Sequence, residues 1–415
     1  MKPIHAFMRE HAVWARVILF SLTLFFIRIA DGMIGFWAPG QMQDAFNNQV
    51  LVGLIISIQS VVGFFADLII PHVLRAARVR PLVLSAVVLS AVTSFLLWGS
   101  VVAPFLLLFV VTMVSWGVYY ELMSFATYQF MGNEVPVRAR SGAWGVGDMF
   151  LNFAYFLGPL AATFLLARGV AATETMVLVF LACSLALLWI FRDFREHGDE
   201  VERQDIKPWE ELRRWSVLSS VIWPAILMTL LLGCIDATFW VTGVLWSESL
   251  AKTSMLGNFI IPLYQFPPLL VGLIVARWGV YRGKKILAEK FLLAAGLLLA
   301  CLGFFKSIPV ALGLVFLSST ALSLTYPLLE GVYTDIVARM GREKKDLIGL
   351  INAVGNVSYV LWPPIAGMIA TVLDQRLTFA IVGGMAALVA LILLFVTPKK
   401  LRLPQQEIKT WDDEN

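Results

Sequence analysis

Long apolar stretches, each ended by charges, prolines or glycine clusters, dominate the chain. A helix crossing the hydrocarbon core of a bilayer needs about 20 mainly apolar residues, and about twelve stretches meet that length. They lie near residues 17–38, 50–71, 82–100, 104–130, 142–166, 175–191, 219–244, 255–276, 286–305, 309–335, 347–371 and 377–397. Their residues do not alternate with period two, which excludes the strands of an outer-membrane barrel. The pattern predicts an all-α integral membrane protein. The longest polar stretch, Arg192 to Trp215, falls between the sixth and seventh runs. It divides the chain into a six-helix half over 1–191, a linker over 192–218, a second six-helix half over 219–397 and a tail over 398–415. After Pro208 the linker reads either as a short interfacial helix, with Trp209, Leu212 and Trp215 on one face, or as a solvated connection.

The two halves repeat. GVGDMFLNFAYFLGPLAA, from Gly145, aligns with GLINAVGNVSYVLWPPIA, from Gly349, at a shift of 204. The shift pairs Asp148 with Asn352, Asn152 with Asn356, Tyr155 with Tyr359 and Pro159 with Pro363. In each half the polar residues recur at i, i+4 and i+7, on one helical face. A polar stripe is costly against lipid, so it is expected to face a protein interior or an aqueous cavity. Asp31 in the first run and Asp236 in the seventh repeat at a shift of 205. Two six-span halves in the same orientation suit a substrate site between them.

Composition sharpens this picture. Of the 415 residues 59% are hydrophobic and 14% charged, against roughly 45–50% and about 25% in soluble domains. Lys and Arg concentrate on one set of loops, around Arg75, Arg138, Arg192–Arg214, Arg282, Arg342 and Lys399, whereas the opposite set holds Arg168, Lys252, Lys306 and Arg376. Basic loops stay in the cytoplasm, so both termini are expected there, in a cell (inner) membrane. The net charge of +4 is this topology signal, and no nucleic-acid partner is expected. The first run is too long for a signal peptide, so Met1 is expected to begin the mature chain. Cys183, Cys234 and Cys301 all fall inside spans without a CxxC or histidine partners, which implies neither a disulfide framework nor a metal site.

Charges inside the spans carry the candidate chemistry. Each costs roughly 2.5–3.5 kcal/mol at a helix centre on insertion scales. Arg28 and Asp31, in FFIRIADGMIGFWAP, are three residues apart and can pair. Either the pair fixes helix packing, or Asp31 exchanges a proton or meets a cationic solute while Arg28 tunes it. Burial and the guanidinium pull the proton affinity of Asp31 in opposite directions. Asp236 has no basic residue within a turn, so it is either a coupling acid or a carboxyl held through Thr238 or a facing Asn. Glu121 shares a face with Ser124, Phe125 and Tyr128, and Glu330 lies near Tyr326, Tyr333 and Thr334. Such carboxylates among aromatics and hydroxyls suit a cavity for amphipathic or cationic molecules, although core packing explains the aromatics equally well. Asp31, Arg28, Asp236, Glu121 and Glu330 are therefore the expected proton-coupling set. Tyr128, Asp148, Asn152, Tyr155, Gln265, Tyr326, Asn352, Asn356 and Tyr359 form the expected solute-binding set. In NFIIPLYQFPPLL, Pro262, Pro267 and Pro268 free backbone carbonyls, marking a static kink or a bending point.

NEVPVRARSGAWGVGDMFLNFAYFLGP resembles the segment of the major facilitator superfamily in which an acidic residue and proline precede a basic turn and a Gly-rich fifth helix. GPLAA is similar to the Gly-Pro motif of that family's antiporters, with Ala161 and Ala162 where glycines are usual. Gly63 and Asp67 match the opening of its G-x-x-x-D signature, with Leu68 to Pro71 replacing the expected Arg and Gly. The second-half counterpart keeps Arg277 and Gly279 but has Ala276 at the acidic position. The resemblance covers essentially the whole chain and implies a cytoplasmic latch built from Gly63, Asp67, Arg277 and Gly279.

No H-E-x-x-H, G-x-S-x-G or P-loop pattern occurs. An enzyme, a cofactor and ATP-driven transport are therefore not expected. The expected function is proton-coupled secondary transport of a small organic solute by alternating access, working as a monomer in the lipid bilayer and tilted toward antiport of amphipathic compounds. Symport of a sugar-like metabolite and a non-transporting sensor or scaffold are the alternatives.

Overall fold

A computed structural model describes residues 2–73, 78–136, 140–190, 208–278, 283–337 and 344–397. The first half consists of α1 (Lys2–Phe46), α2 (Gln49–Val73), α3 (Val79–Gly99), α4 (Leu106–Asn133), α5 (Arg140–Leu166) and α6 (Val170–Ile190). The second begins with α7 (Pro208–Thr238), which passes through a π-helical turn (Phe239–Gly243) into α8 (Val244–Ala251). A 3₁₀ turn (Met255–Phe259) then leads to α9 (Ile260–Trp278), α10 (Lys284–Cys301), α11 (Ile308–Val337), α12 (Lys344–Val372) and α13 (Gln375–Val396). With α7, the π turn and α8 counted as one span, these make twelve spans in two sets of six.

Among the described residues ten helices are long and apolar enough to cross a membrane. Of the other two, α9 is described as an apolar stretch over Met255–Val271, and α10 carries Lys284, Lys285, Glu289 and Lys290 in its first two turns. Large apolar side chains such as Phe65, Val88, Trp189, Leu388 and Phe395 point outward. That surface needs a hydrocarbon solvent. The helix that starts at Pro208 runs unbroken into the seventh span, and proline at a helix start suits this because the N–H it lacks has no intrahelical partner there.

Short turns fix the connections. Between α1 and α2, Asn47 takes a left-handed conformation (φ 48°), which asparagine tolerates better than other side chains. Asn48 Oδ1 then accepts from the amides of Val50 (3.0 Å) and Leu51 (3.1 Å), capping α2. The prolines inside α9, Pro267 and Pro268, leave that helix continuous. We call the side carrying the basic loops the basic face and the opposite side, with the Asn47 turn, the far face.

Inside each half the helices pack through small residues. At the α10–α13 crossing, a Cβ on Gly296 would stand 2.6 Å from the Ala387 amide and the Gly383 carbonyl, and one on Gly383 would stand 2.5 Å from Leu299 Cβ. Gly296→Val must therefore push two backbones of one rigid half apart. Overpacking of this kind costs about 1–3 kcal/mol or more. The expected result is a clear fall in melting temperature with no conformation that relieves it, read by thermal unfolding in detergent.

Three charged pairs near the basic face form within a half among the described residues. Arg16 meets Glu134 at 2.7 Å, tying the start of α1 to the end of α4. Lys284 meets Asp335 at 2.8 Å. Lys285 and Glu289 form a buried pair at 2.6 Å that Thr397 joins. Lys285 thus lies in the packed interior, with its charge answered one turn along its own helix.

The halves touch along α2 with α12, α5 with α9, and α1 with α8. The named contacts lie in the middle or far part of the membrane. A Cβ on Gly53 would stand 2.3 Å from the Pro363 carbonyl, one on Gly367 would stand 2.2 Å from the Gln49 carbonyl, and one on Gly40 would run into the Glu248 carboxyl group. Phe156 packs on Phe266, and Trp240 lies against Gly35 and Tyr155. Toward the basic face a cavity of about 180 Å³ opens between α1, α4 and α5. Among the described residues the halves meet closely on the far side, and the acids described next lie deeper in the membrane than this cavity.

Candidate functional site

Asp31 lies in the middle of α1 with its side chain fully enclosed. An ionised carboxylate there needs partners from neighbouring helices. Trp116 of α4 donates its indole N–H to Oδ1 at 2.7 Å, and Tyr155 of α5 donates its hydroxyl to Oδ2 at 2.7 Å. Arg28, one turn earlier, reaches Oδ2 at 3.5 Å and donates to the Tyr155 oxygen at 3.0 Å. The rings of Tyr119, Tyr120 and Tyr155 stand about its guanidinium at 5.5–6.0 Å, close enough for cation–π attraction. The hydroxyl of Tyr155 thus links acid and base. Its approach depends on Gly32 and Gly158, since a Cβ on Gly158 would stand 2.9 Å from Gly32 Cα.

The second half repeats the arrangement with one change. Asp236 of α7 accepts from the hydroxyls of Tyr359 (α12) and Tyr264 (α9). Tyr359 is the repeat partner of Tyr155, so each half holds an acid of its first helix with a tyrosine of its fifth. Thr238 instead accepts from the Trp362 indole at 2.7 Å and donates to the Cys234 carbonyl. Neither it nor an asparagine holds Asp236, because Thr238 lies two residues along the helix and points to another face. At the position of Arg28 stands Gly233, where a Cβ would meet Ser358 at 2.6 Å. Close passage of α12 leaves no room for an arginine.

Removing one donor tests this geometry. Tyr359→Phe leaves Asp236 with Tyr264, and a hydrogen bond to a charged group contributes about 1.5–3 kcal/mol. The variant is expected to fold with a modestly lowered melting temperature. Tyr155→Phe is expected to lower it further, since it removes the donor to Asp31 and the acceptor for Arg28 together. Thermal melts of the two single variants compare them directly.

The other expected residues are spread over several places. Tyr128 and Asp148 line the cavity together with Arg28, Trp144 and Thr127. Glu330 and Tyr326, on α11, are exposed toward the same side, and Glu330 lies within electrostatic reach of Asp148. Tyr326 also lies near Asp236. Asn152 and Asn356 are half-buried on the stripes of α5 and α12, and Gln265 is buried beside Tyr264. Glu121 sits apart from the acid sites against α2, with Oε1 2.9 Å from where a Cβ on Gly63 would be. The side chains of Asp67, Arg277 and Asn352, and Gly279 altogether, lie outside the described residues. Among the described residues no group of His, Cys, Asp and Glu could hold a metal ion.

Reasoning from the chain alone missed Trp116, Tyr264, Trp240 and Trp362. Their signal was a polar-tipped aromatic in mid-span, since a buried indole N–H or phenol needs a partner.

The family model described as Major Facilitator Superfamily matches residues 20–342 and 258–412. The chain belongs to the major facilitator superfamily. Solved structures of this superfamily's fold agree with it over nearly the whole length. The human organic anion transporter TETRAN superposes with a TM-score of 0.66 at 17% identity, covering 91% of this chain and 98% of that one. A D-xylose–proton symporter gives 0.69 at 13%, with 94% and 99% covered. The nucleoside transporter NupG gives 0.66 at 12%, with 92% and 100% covered. A comparison with curated protein sequences gives no match. As a major facilitator protein the chain is a multi-pass membrane protein of two six-helix halves.

Proposed function

We propose that the protein is a proton-coupled secondary transporter that moves a small amphipathic organic solute by alternately exposing a site between its halves. The observation that carries this reading is the duplicated acid–tyrosine pair, Asp31 with Tyr155 and Asp236 with Tyr359. Both pairs stand at mid-depth, between the far-side contacts of the halves and the cavity that lies toward the basic face. A carboxylate shared among helices can give up or take a proton as those helices shift, and the seam at Trp240 and Tyr155 joins the two halves beside both acids. Similarity to a proton symporter and to transporters of organic solutes supports the class. On this reading the protein lies in the cell (inner) membrane with the basic face and both termini cytoplasmic, the orientation that basic loops favour. It works as a monomer on the same reading.

The test is transport by the purified protein in proteoliposomes under an imposed pH gradient, with a panel of solutes, beside Asp31→Asn and Asp236→Asn. Wild type is expected to accumulate or expel at least one solute only when the gradient is present, and Asp31→Asn to lose that dependence. A wild type that moves neither solute nor proton favours a sensor or scaffold. Labelling a cysteine at Lys252 from the cytoplasmic side overturns the orientation.

A further inference from the structure

From the cavity between α1, α4 and α5 we infer the charge class of the solute: an organic cation with an aromatic or apolar body, seated on Asp148 between Tyr128 and Trp144. This rests on the transporter reading above. The cavity walls are apolar and aromatic, with Phe20, Phe25, Met131 and Leu151 among them. Tyr128 and Trp144 form a corner, their rings 5.2 Å apart and tilted by 57°. Asp148 follows Trp144 by one helical turn, so the carboxylate sits beside that corner.

Charge decides the class. Two side chains that can carry charge line the cavity, Arg28 and Asp148. Arg28 is already answered by Asp31 at 3.5 Å and covered by three aromatic rings. Asp148 has no cationic partner among the described residues, and the charged group nearest in effect is another acid, Glu330 of the opposite half. Among the described residues the cavity therefore presents a carboxylate without a cationic partner next to ring faces. A quaternary or protonated amine satisfies both features at once, through Coulomb attraction and cation–π contact.

Placement on both halves also sets the coupling. Asp148 belongs to α5 and Glu330 to α11, so rocking that closes the basic side brings the two carboxylates together. Two ionised carboxylates cannot be crowded without a counter-charge. Either a proton or the cationic solute supplies one, and Arg28, held by Asp31, does not. An empty, ionised carrier therefore resists closure, whereas a carrier loaded with one cation or the other turns over. The result is exchange of protons for the solute.

Equilibrium binding to the purified full chain tests this, with benzyltrimethylammonium as the cation and benzenesulfonate as an anion of similar bulk. Saturable binding of the cation is expected, weakened about tenfold by Asp148→Asn and by Trp144→Ala, each loss being near 1.4 kcal/mol. The sulfonate is expected to bind at least about tenfold more weakly, by the same scale. Equal or tighter binding of the sulfonate, binding of the cation unchanged in both variants, or no binding of either overturns the assignment. The two readings fail separately. A pH-driven flux of anionic or neutral solutes alone sinks the cation site and keeps the transporter, while Asp148-dependent cation binding without any flux does the reverse.

Discussion

Asp31→Asn is expected to abolish proton-driven transport, by about a hundredfold or more, and also to destabilise the protein, whereas Asp236→Asn is expected to impair coupling with little loss of stability. The difference follows from what each acid holds. Asparagine fits the space of Asp31 and still accepts from Trp116 or Tyr155, but it leaves the Arg28 guanidinium inside the membrane without its counter-charge. Only 14% of that side chain is exposed. Removing one partner of a buried ion pair costs about 3–5 kcal/mol, which is a hundredfold or more in the population of the paired state. Around Asp236 no cation is stranded, because Gly233 stands where the arginine would be, and the amide oxygen still accepts from one of Tyr264 and Tyr359 while its NH2 can donate to the other's hydroxyl oxygen. Thermal melts and gradient-driven uptake in proteoliposomes separate stability from coupling. The double variant Arg28→Gln with Asp31→Asn provides the decisive control. It is expected to regain the melting temperature and remain uncoupled, and regained coupling would reduce the pair to a packing device.

The chain alone made the spans legible because the bilayer imposes a length and a composition that few other constraints override. The repeat was legible too, since Asp148, Asn152 and Tyr155 keep their spacing in Asn352, Asn356 and Tyr359, and a shared face follows from helical geometry. Pairing of Arg28 with Asp31 could be read for the same reason, as it is local. What could not be read were partners brought from other helices. Trp116 lies 85 residues from Asp31 and Tyr264 lies 28 from Asp236, and a polar tip in mid-span says that a partner is needed without saying which one. Gln265 was expected in the solute-binding set, but successive helical residues point about 100° apart, and it is its neighbour Tyr264 that faces Asp236. The run from Pro208 into α7 was ambiguous for another reason: charged residues suit a linker and an exposed helix end equally.

At the seam between the halves, valine in place of Gly53 or Gly367 is expected to stop transport while leaving the fold intact, in contrast to Gly296→Val. All three glycines face backbone atoms that a Cβ would strike. At Gly53 the obstacle is the Pro363 carbonyl at 2.3 Å, and at Gly367 the Gln49 carbonyl at 2.2 Å. The distinction is what lies on the other side. Gly296 and Gly383 join helices of one half, which has no alternative packing, whereas α2 and α12 belong to different halves that must separate when the far side opens. A side chain at the seam therefore penalises the far-closed conformation and leaves the far-open one unstrained. Overpacking costs about 1–3 kcal/mol at each site, and about 5.5 kcal/mol reverses a 99:1 population, so the double variant approaches a lock. Cysteines on the far-face ends of α1 and α8 report the shift by their labelling from that side, which is expected to rise in the seam variants. The melting temperature is expected to stay within a few degrees of wild type, because the strain has an outlet. A seam variant that melts like Gly296→Val, with labelling unchanged, means that the halves do not separate along α2 and α12.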